Sequence, residues 1–301
     1  MIVILPIDIT GNPAIVYSST VSLGTGDDPP VWSSASSWDP GDRAYVNTAP
    51  QKVYEVIDLS TITSGGVSPA ISVEQAVPKW AEIGYVNKWA MFDLSKNSST
   101  VASGSITVEL RPGARINSLA LLNLVNVTSV TIAGTDETGL SIYSVVGASV
   151  TNGYYVVTNI PRVSTIRLTV TITGSGTIEV GSLVLGNYKY IGDIQDGISV
   201  GSENFSNTER DEFGNVALVK RREVGRLQKS LFLYSEHINS VLAIRDQLNA
   251  KVAVWIGLYG NTDPNIDNFF NATVLLGFYR AFDIEHASPV HAIVNLELEE
   301  L

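Results

Sequence analysis

The middle of the chain alternates between apolar and polar positions with the period of two that is typical of half-buried β-strands. The alternating runs are SITVEL at 105–110, NSLALLNL at 117–124, SVTIAG at 129–134, STIRLTVTIT at 164–173 and TIEVGSLVLG at 177–186. Valine, isoleucine and threonine dominate these runs, and Gly, Asn, Asp and Ser separate them as turn residues. The pattern predicts a two-sheet antiparallel β-sandwich over residues 87–190.

Residues 1–86 are richer in turn formers, and their extended runs are short, as at Ala44 to Val46 and Lys52 to Ile57. We therefore predict a small β module with long loops. Its aromatic residues allow two interpretations. Either the rings form the core of a domain that has few aliphatic side chains, or some rings lie exposed as platforms for sugar faces. The candidates for sugar binding are Trp38, Tyr54 and Trp80.

Residues 191–301 mix two periods. The segments 198–205 and 216–229 look extended, and SEHINSVLAIRDQLNAK at 235–251 predicts the one convincing helix of the chain, with Ser235 as its N-cap. Three further strands are predicted within 252–260, 272–286 and 291–301. The order of strands, one helix and strands predicts an α+β domain.

Length and composition fit several globular domains, because 301 residues exceed the usual size of a single core and 45% of them are hydrophobic. We expect domains at 1–86, 87–190 and 191–301. The formal net charge of −11 disfavours nucleic acid and anionic membranes as partners. The chain has no cysteine, which excludes disulfides and thiolate metal sites.

The first residues, MIVILPIDITGNPAIVYSS, contain no basic region before the apolar run, and that run ends at Pro6. No later stretch reaches the length of apolar sequence that a membrane span needs. We expect neither a signal peptide nor a membrane anchor. A protein of this kind that works outside the cell would leave it by another route, such as the release of an assembled virus by lysis.

The chain shows no motif for nucleophilic hydrolysis, phosphate cradling or dinucleotide binding. The adjacent acids Asp136–Glu137 and Asp211–Glu212 precede glycines and are typical of solvated turns rather than of a glycosidase pair. His286 and His291 flank a proline-containing turn, which favours surface positions over a metal site. We predict no catalytic residue, no cofactor and no metal.

Six of the 19 basic residues fall between Arg210 and Lys229. Basic side chains on both faces of an extended segment fit an edge strand or a long ribbon, which leaves two interpretations open. The charges protect a solvated edge from aggregation, or they pair with acidic groups of a neighbouring subunit. The candidate assembly residues are Arg210, Lys220, Arg221, Arg222 and Arg226.

Two segments resemble known carbohydrate-binding folds. GDRAYVNTAPQKVYEVI with the later PKWAEIG resembles the small chitin- and cellulose-type carbohydrate-binding modules, and WAMFD followed by SITVEL and INSLALLNL resembles the opening of the discoidin-like, galactose-binding jelly roll. The expected fold is therefore mainly β. It comprises a small aromatic-rich carbohydrate-binding-like module, a discoidin-like β-sandwich (jelly roll) and a C-terminal α+β domain with one helix.

Three phrases, NKWAMFD, SITVELRPGARINSLALLNL and DEFGNVALVKR, resemble recurring phrases in a family of tailed-bacteriophage virion proteins, over about residue 40 to residue 301. Members of that family are structural proteins of the tail, usually at its distal tip, baseplate or fibre attachment, and some are labelled carbohydrate-binding. The resemblance implies assembly into a ring or another symmetric oligomer. After the DEFGN turn this chain has REVGRLQ, where the family carries more basic and aromatic residues.

We therefore expect a non-enzymatic structural component of a bacteriophage tail, made in the host cytoplasm without a signal peptide and carried in the virion. The expected partners are other tail subunits, further copies of the chain and host cell-surface glycan, but neither nucleic acid nor a membrane into which it inserts. Two alternatives stay open: a free carbohydrate-binding protein and a glycan-degrading tail enzyme.

Overall fold

A computed structural model describes residues 1–301 except 96, 151, 211, 215, 258–272 and 287, and it describes only the backbone at 196–198 and 217. The fold is mainly β, with 53% strand and 9% helix, and one helix in the described part of the chain has seven or more residues. The prediction of a mainly β chain with one convincing helix is confirmed.

The strands and helices have the following bounds. The strands are β1 (Ile2–Pro6), β2 (Val16–Ser19), β3 (Arg43–Tyr45), β4 (Lys52–Val56), β5 (Trp80–Tyr85), β6 (Thr100–Leu110), β7 (Ser118–Thr135), β8 (Ser141–Ser149), β9 (Tyr154–Val157), β10 (Arg167–Tyr190), β11 (Asp193–Asn204), β12 (Asn207–Arg210), β13 (Val216–Val219), β14 (Glu223–Tyr234), β15 (Ala253–Ile256), β16 (Val274–Glu285) and β17 (His291–Glu300). The helices are α1 (Pro69–Ser72), α2 (Asn87–Ala90) and α3 (Ile238–Gln247).

The chain divides into two compact units. The N-terminal unit is Ile7–Leu185, and the C-terminal unit combines Met1–Pro6 with Gly186–Leu301. The short strand β1 explains why the first residues join the C-terminal unit. It lies between the last residues of β10 and strand β15, with Ile2 opposite both Tyr190 and Ile256. These units differ from the expected segments 1–86, 87–190 and 191–301, which as independently folding domains stay a prediction.

The N-terminal unit is built around the first part of β10, which pairs with β6 and β7. Strand β2 pairs with β6, while β8 and β9 both pair with β7. The alternation seen in the sequence matches burial, since Ile106, Val108 and Leu110 of β6 are fully buried and lie opposite the equally buried Ile172, Val170 and Leu168 of β10. The period of two therefore places one face of each strand in the core.

Two pairs of predicted strands are continuous in the structure. Strand β7 contains residues 118–124 of the first run and all of the run 129–134, so the prediction of separate strands there is wrong. Asn123 and Asn126 have φ values of 53° and 57°, a left-handed conformation that asparagine tolerates, so the chain bends without leaving the strand. Strand β10 likewise contains residues 167–173 and 177–186 of two predicted runs, and its register with β6 shifts between Thr173 and Thr177.

The C-terminal unit is an antiparallel sheet in the order β11-β14-β17-β16-β15-β1, followed by the end of β10. Its inner face forms one apolar cluster with α3, in which Val241 and Leu248 of the helix segment join Leu231 and Val294 of the sheet. The other face of the sheet is here called the outer face. Strand β17 shows the division: Ala292, Val294, Leu296 and Leu298 are buried, and the alternate positions are polar apart from Ile293.

The predicted helix begins later than the sequence indicates. Residues Ser235–His237 form a 3-10 turn, and the Ser235 hydroxyl donates to the carbonyl oxygen of Pro289 at 2.9 Å instead of capping the helix. The N-cap prediction for Ser235 is therefore wrong, because a loop carbonyl takes the hydroxyl hydrogen. None of the helices in the described residues has the length and apolar character to span a bilayer.

The close approach of β16 and β17 gives a test of the sheet register. A Cβ atom added at Gly277 would lie 2.0 Å from the backbone oxygen of Glu299, so Gly277→Ala must push the two strands apart. We expect the free energy of unfolding to fall by about 1–3 kcal/mol or more, measured by denaturant unfolding. The control is Gly201→Ala, whose Cβ would meet nothing within 4 Å, and equal losses for both variants would contradict the register.

Candidate assembly surface

The three rings that the sequence offers as sugar platforms are buried. Trp38, Tyr54 and Trp80 are 7%, 4% and 1% exposed, and they share one apolar cluster of the small sheet β3-β4-β5. The two indole rings pack edge to face, with centroids 5.6 Å apart. Stacking on a sugar needs an exposed ring face, so the structure contradicts the platform interpretation for these three residues. It agrees with the alternative of an aromatic core.

The local contacts explain why this small module uses aromatic side chains. The indole nitrogen of Trp38 donates to the carbonyl oxygen of Ser33 at 3.3 Å, which fixes part of a long loop. Burial raises the pKa of the Tyr54 phenol, as expected for a ring in a core. With short strands and few aliphatic residues, large rings supply the buried area.

Asp136 of the first acid pair lies in a hydrogen-bonded turn. The Asp136 carboxylate accepts hydrogen bonds from the Thr138 hydroxyl at 2.7 Å and from the backbone N–H groups of Thr138 and Leu140. These bonds lower the pKa of Asp136, whereas a general acid needs a raised pKa. Asp211 of the other pair lies outside the described residues. Asp136 is thus a turn acid.

The histidines lie at the surface or in local contacts. His291 stacks on Phe232 with ring centroids 5.0 Å apart, and its Nδ1 atom lies 2.7 Å from the Ser288 hydroxyl oxygen. His286 is exposed. The described residues contain no group of three or more metal-ligating side chains.

The basic segment after residue 210 belongs to a two-stranded ribbon in the C-terminal unit. Strands β11 and β14 pair as far as Asn204 opposite Glu223, and β12 and β13 continue the ribbon to Arg210 opposite Val216. The Phe205 N–H donates to the carbonyl oxygen of Arg222 at 3.1 Å and links the two parts. The sequence predicted one extended segment over 216–229, but β13 and β14 are separated by residues 220–222.

The ribbon extends past the sheet that supports it. Strand β17 pairs with β14 only as far as Glu299 opposite Arg226, and in the described chain nothing else pairs with the ribbon beyond that point. We call residues 202–225 the arm. At about 3.3 Å per residue the nine residues 202–210 of one side span roughly 30 Å if extended. A two-stranded ribbon without further packing is marginally stable in water.

The arm is exposed along almost its whole length. Every residue between Asn207 and Glu223 whose burial is described is exposed, including Phe213 at 89% and Leu218 at 77%. Val216 and Leu218 lie on one face of the ribbon, opposite Arg210 and Thr208. Exposed apolar side chains grouped in this way are typical of interaction sites.

The five candidate assembly residues fall into two groups. Arg210 and the basic triplet, which we define as Lys220, Arg221 and Arg222, are exposed and form no ion pair within the described residues. Arg226 differs, because its guanidinium contacts Glu203 and lies 3.4 Å from Glu299, which also binds Arg280 at 2.9 Å. Arg226 therefore secures the root of the arm within its own chain.

The outer face of the same sheet carries an open trough with a volume of about 520 Å³. Cross-strand pairs line it, with Gln228 opposite Glu297 and Asn295 opposite Asp283. Glu285 lies two residues beyond Asp283 on the same strand and hence on the same face. We define the acidic face as Asp283, Glu285 and Glu297, which form no ion pair among the described residues.

Sequence reasoning found the basic triplet but missed the apolar part of the arm and the acidic face. VALV at 216–219 predicts a strand, but this local sequence does not show that the strand pairs with a single neighbour. The alternation in HAIVNLELEE at 291–300 does reveal one polar face, and this signal could have identified Glu297 as outward-facing.

A scan against models of known protein families finds no match for the chain, and a search of curated proteins finds none either. The surface chemistry of the chain is therefore the basis for assigning it a role.

The buried position of Trp80 predicts a loss of stability on truncation. Trp80→Ala should lower the free energy of unfolding by about 3–5 kcal/mol, because it empties a core site. The Trp80 indole nitrogen has no hydrogen-bond partner in the described chain, so Trp80→Phe, which keeps most of the ring, should cost much less. Denaturant unfolding measures both. Leu59→Ala, at a side chain 96% exposed, is the control, and a Trp80→Ala loss as small as the control's would contradict the buried core.

Proposed function

We propose that this chain is a non-enzymatic structural subunit of a bacteriophage tail, at its tip, baseplate or fibre attachment, and that it assembles into a symmetric oligomer through the arm. The single observation that carries the proposal is the arm itself. It is a ribbon without cover that exposes apolar side chains and unpaired basic groups in the described structure. Such a segment fits a subunit whose burial is completed by a neighbour.

The resemblance to tailed-phage virion proteins supports the location of that assembly. Two of its phrases, NKWAMFD and SITVELRPGARINSLALLNL, fall in the N-terminal unit, and DEFGNVALVKR covers residues 211–221 of the arm, including Lys220 and Arg221 of the basic triplet. The segment that resembles a virion family is thus also the segment that is uncovered in the single chain.

The energetics favour a closed ring over a single contact. Burying a valine, leucine or phenylalanine side chain contributes about 1.5–3 kcal/mol, so three such residues on an arm supply several kcal/mol. Association of two proteins costs about 4–15 kcal/mol in lost freedom, which one arm offsets only in part. In a ring each copy gives one arm and receives one, so closure adds a contact without adding a subunit.

The alternatives of a free carbohydrate-binding protein and a glycan-degrading enzyme find no support in the described residues. The predicted sugar platforms are buried, and Asp136 is held in a turn.

The proposed assembly role predicts that polar substitutions on the arm weaken self-association. The pair Val216→Ser with Leu218→Ser removes two exposed apolar side chains, and we expect the concentration for half-assembly to rise by about 100-fold, since each 1.4 kcal/mol is a factor of ten. Sedimentation velocity over a concentration series measures it. The matched control pair is Val77→Ser with Val146→Ser, both 79% exposed. An equal shift for the two pairs would argue against the arm.

The virion location is tested on particles. Antibodies against the chain should label one end of the tail in particles released from cells that carry its gene. A variant in which a two-residue Asn-Gly turn replaces residues 205–222, between Asn204 and Glu223, keeps the paired ribbon root but lacks the outer part of the arm, and it should be missing from those particles. Unlabelled particles, or turnover of a host polysaccharide by the purified chain, would contradict the proposal.

A further inference from the structure

We propose that the arm of one copy of this chain docks on the outer sheet face of a second copy, with the basic triplet pairing with the acidic face. This inference rests on the proposed function, because it names the surface that covers the arm. The contact is head-to-tail, because each copy contributes an arm on one side and a sheet face on the other.

The charges of the two surfaces are complementary. Residues 216–222 contain three basic residues and no acidic one, while residues 274–301 contain five acidic residues and one basic one. Within the described residues neither the basic triplet nor the acidic face forms an ion pair in the single chain. Opposite fields of this kind steer association and fix its register.

The shape of the sheet face also suits the arm. Ala281 lies opposite Glu297 on the outer face, and both line the trough together with Asp283. An apolar side chain from the arm, such as Leu218, would meet Ala281 while the triplet meets the acids. The trough of about 520 Å³ is open on the outer face, so a ribbon can lie along it.

The arm of the same molecule cannot supply this contact without a sharp bend. The triplet ends at Arg222, immediately before β14, and Gln228 of β14 lines the trough. Six residues of extended chain span roughly 20 Å, and they lead away from the trough. The occupant therefore comes from another molecule. Two different complementary surfaces on one chain generate a ring when the rotation closes and a filament when it does not.

The test uses two charge-reversed variants of the full chain. The arm variant is K220E/R221E/R222E, and the face variant is D283K/E285K/E297K. Sedimentation velocity at low salt measures assembly of each variant alone and of their equimolar mixture, and circular dichroism with denaturant unfolding verifies that both are folded. Each variant alone should assemble at least tenfold more weakly than the unaltered chain.

The mixture is the decisive sample. In it the unaltered basic arm of the face variant meets the unaltered acidic face of the arm variant, and the two reversed surfaces also match. We expect the mixture to recover assembly, and the assembly of the unaltered chain to weaken as salt rises from 0.05 to 0.5 M because exposed charge pairs are screened. The control R162E/K251E reverses two exposed basic side chains outside both surfaces and should assemble like the unaltered chain.

The outcomes separate this inference from the proposed function. A mixture that stays unassembled, or an unaltered chain that is monomeric at every concentration, overturns the docking of copy on copy. Antibody labelling of the tail would in that case still support a structural subunit whose arm contacts a different tail protein. Recovery in the mixture together with unlabelled particles would support the docking and overturn the tail location.

Discussion

The architecture of the C-terminal unit depends on a mismatch of strand length. The ribbon of β11 and β14 continues through β12 and β13, whereas the flanking strand β17 ends its pairing opposite Arg226. Beyond that point the backbone edges of the ribbon have no third strand in the described structure, and Val216, Leu218 and Val219 are exposed. Unpaired edges and exposed apolar groups both favour association, and this constraint underlies the assembly role proposed for the chain.

The root of the arm explains how a ribbon of this length keeps its direction. Arg226 lies between Glu203 and Glu299, and the Gly225 N–H donates to a Glu300 carboxylate oxygen at 3.1 Å. These contacts join the last supported residues of β14 to β11 and β17. Strand β1 adds rigidity at the other end of the sheet, where Val3 and Ile4 are fully buried between β15 and the end of β10. An arm that reaches a neighbouring molecule needs a rigid base, and these contacts supply it.

Local pattern predicted the strands and their buried faces but not the partners of the strands. The alternation in β6 and β17 agrees with their observed burial, because burial on one face of a sheet follows the period of two. The sequence around Trp38, Tyr54 and Trp80 allows either a core or a sugar platform, since local sequence does not distinguish a buried aromatic ring from an exposed one. The basic triplet was visible in the sequence, yet its lack of cover depends on where β17 stops, about 80 residues later in the chain. Likewise, no local signal joins residues 2–6 to a sheet formed by the last third of the chain.

The most direct measurement of the central claim is amide hydrogen exchange along residues 207–223, compared between the isolated chain and the assembled oligomer. In the isolated chain these amides should exchange fast, because a ribbon without packing opens readily. In the assembly we predict strong slowing of exchange in the arm, with slowing also along β16 and β17 near the acidic face. Equally fast exchange of the arm in both states would contradict the account, because it would show that assembly leaves the arm uncovered.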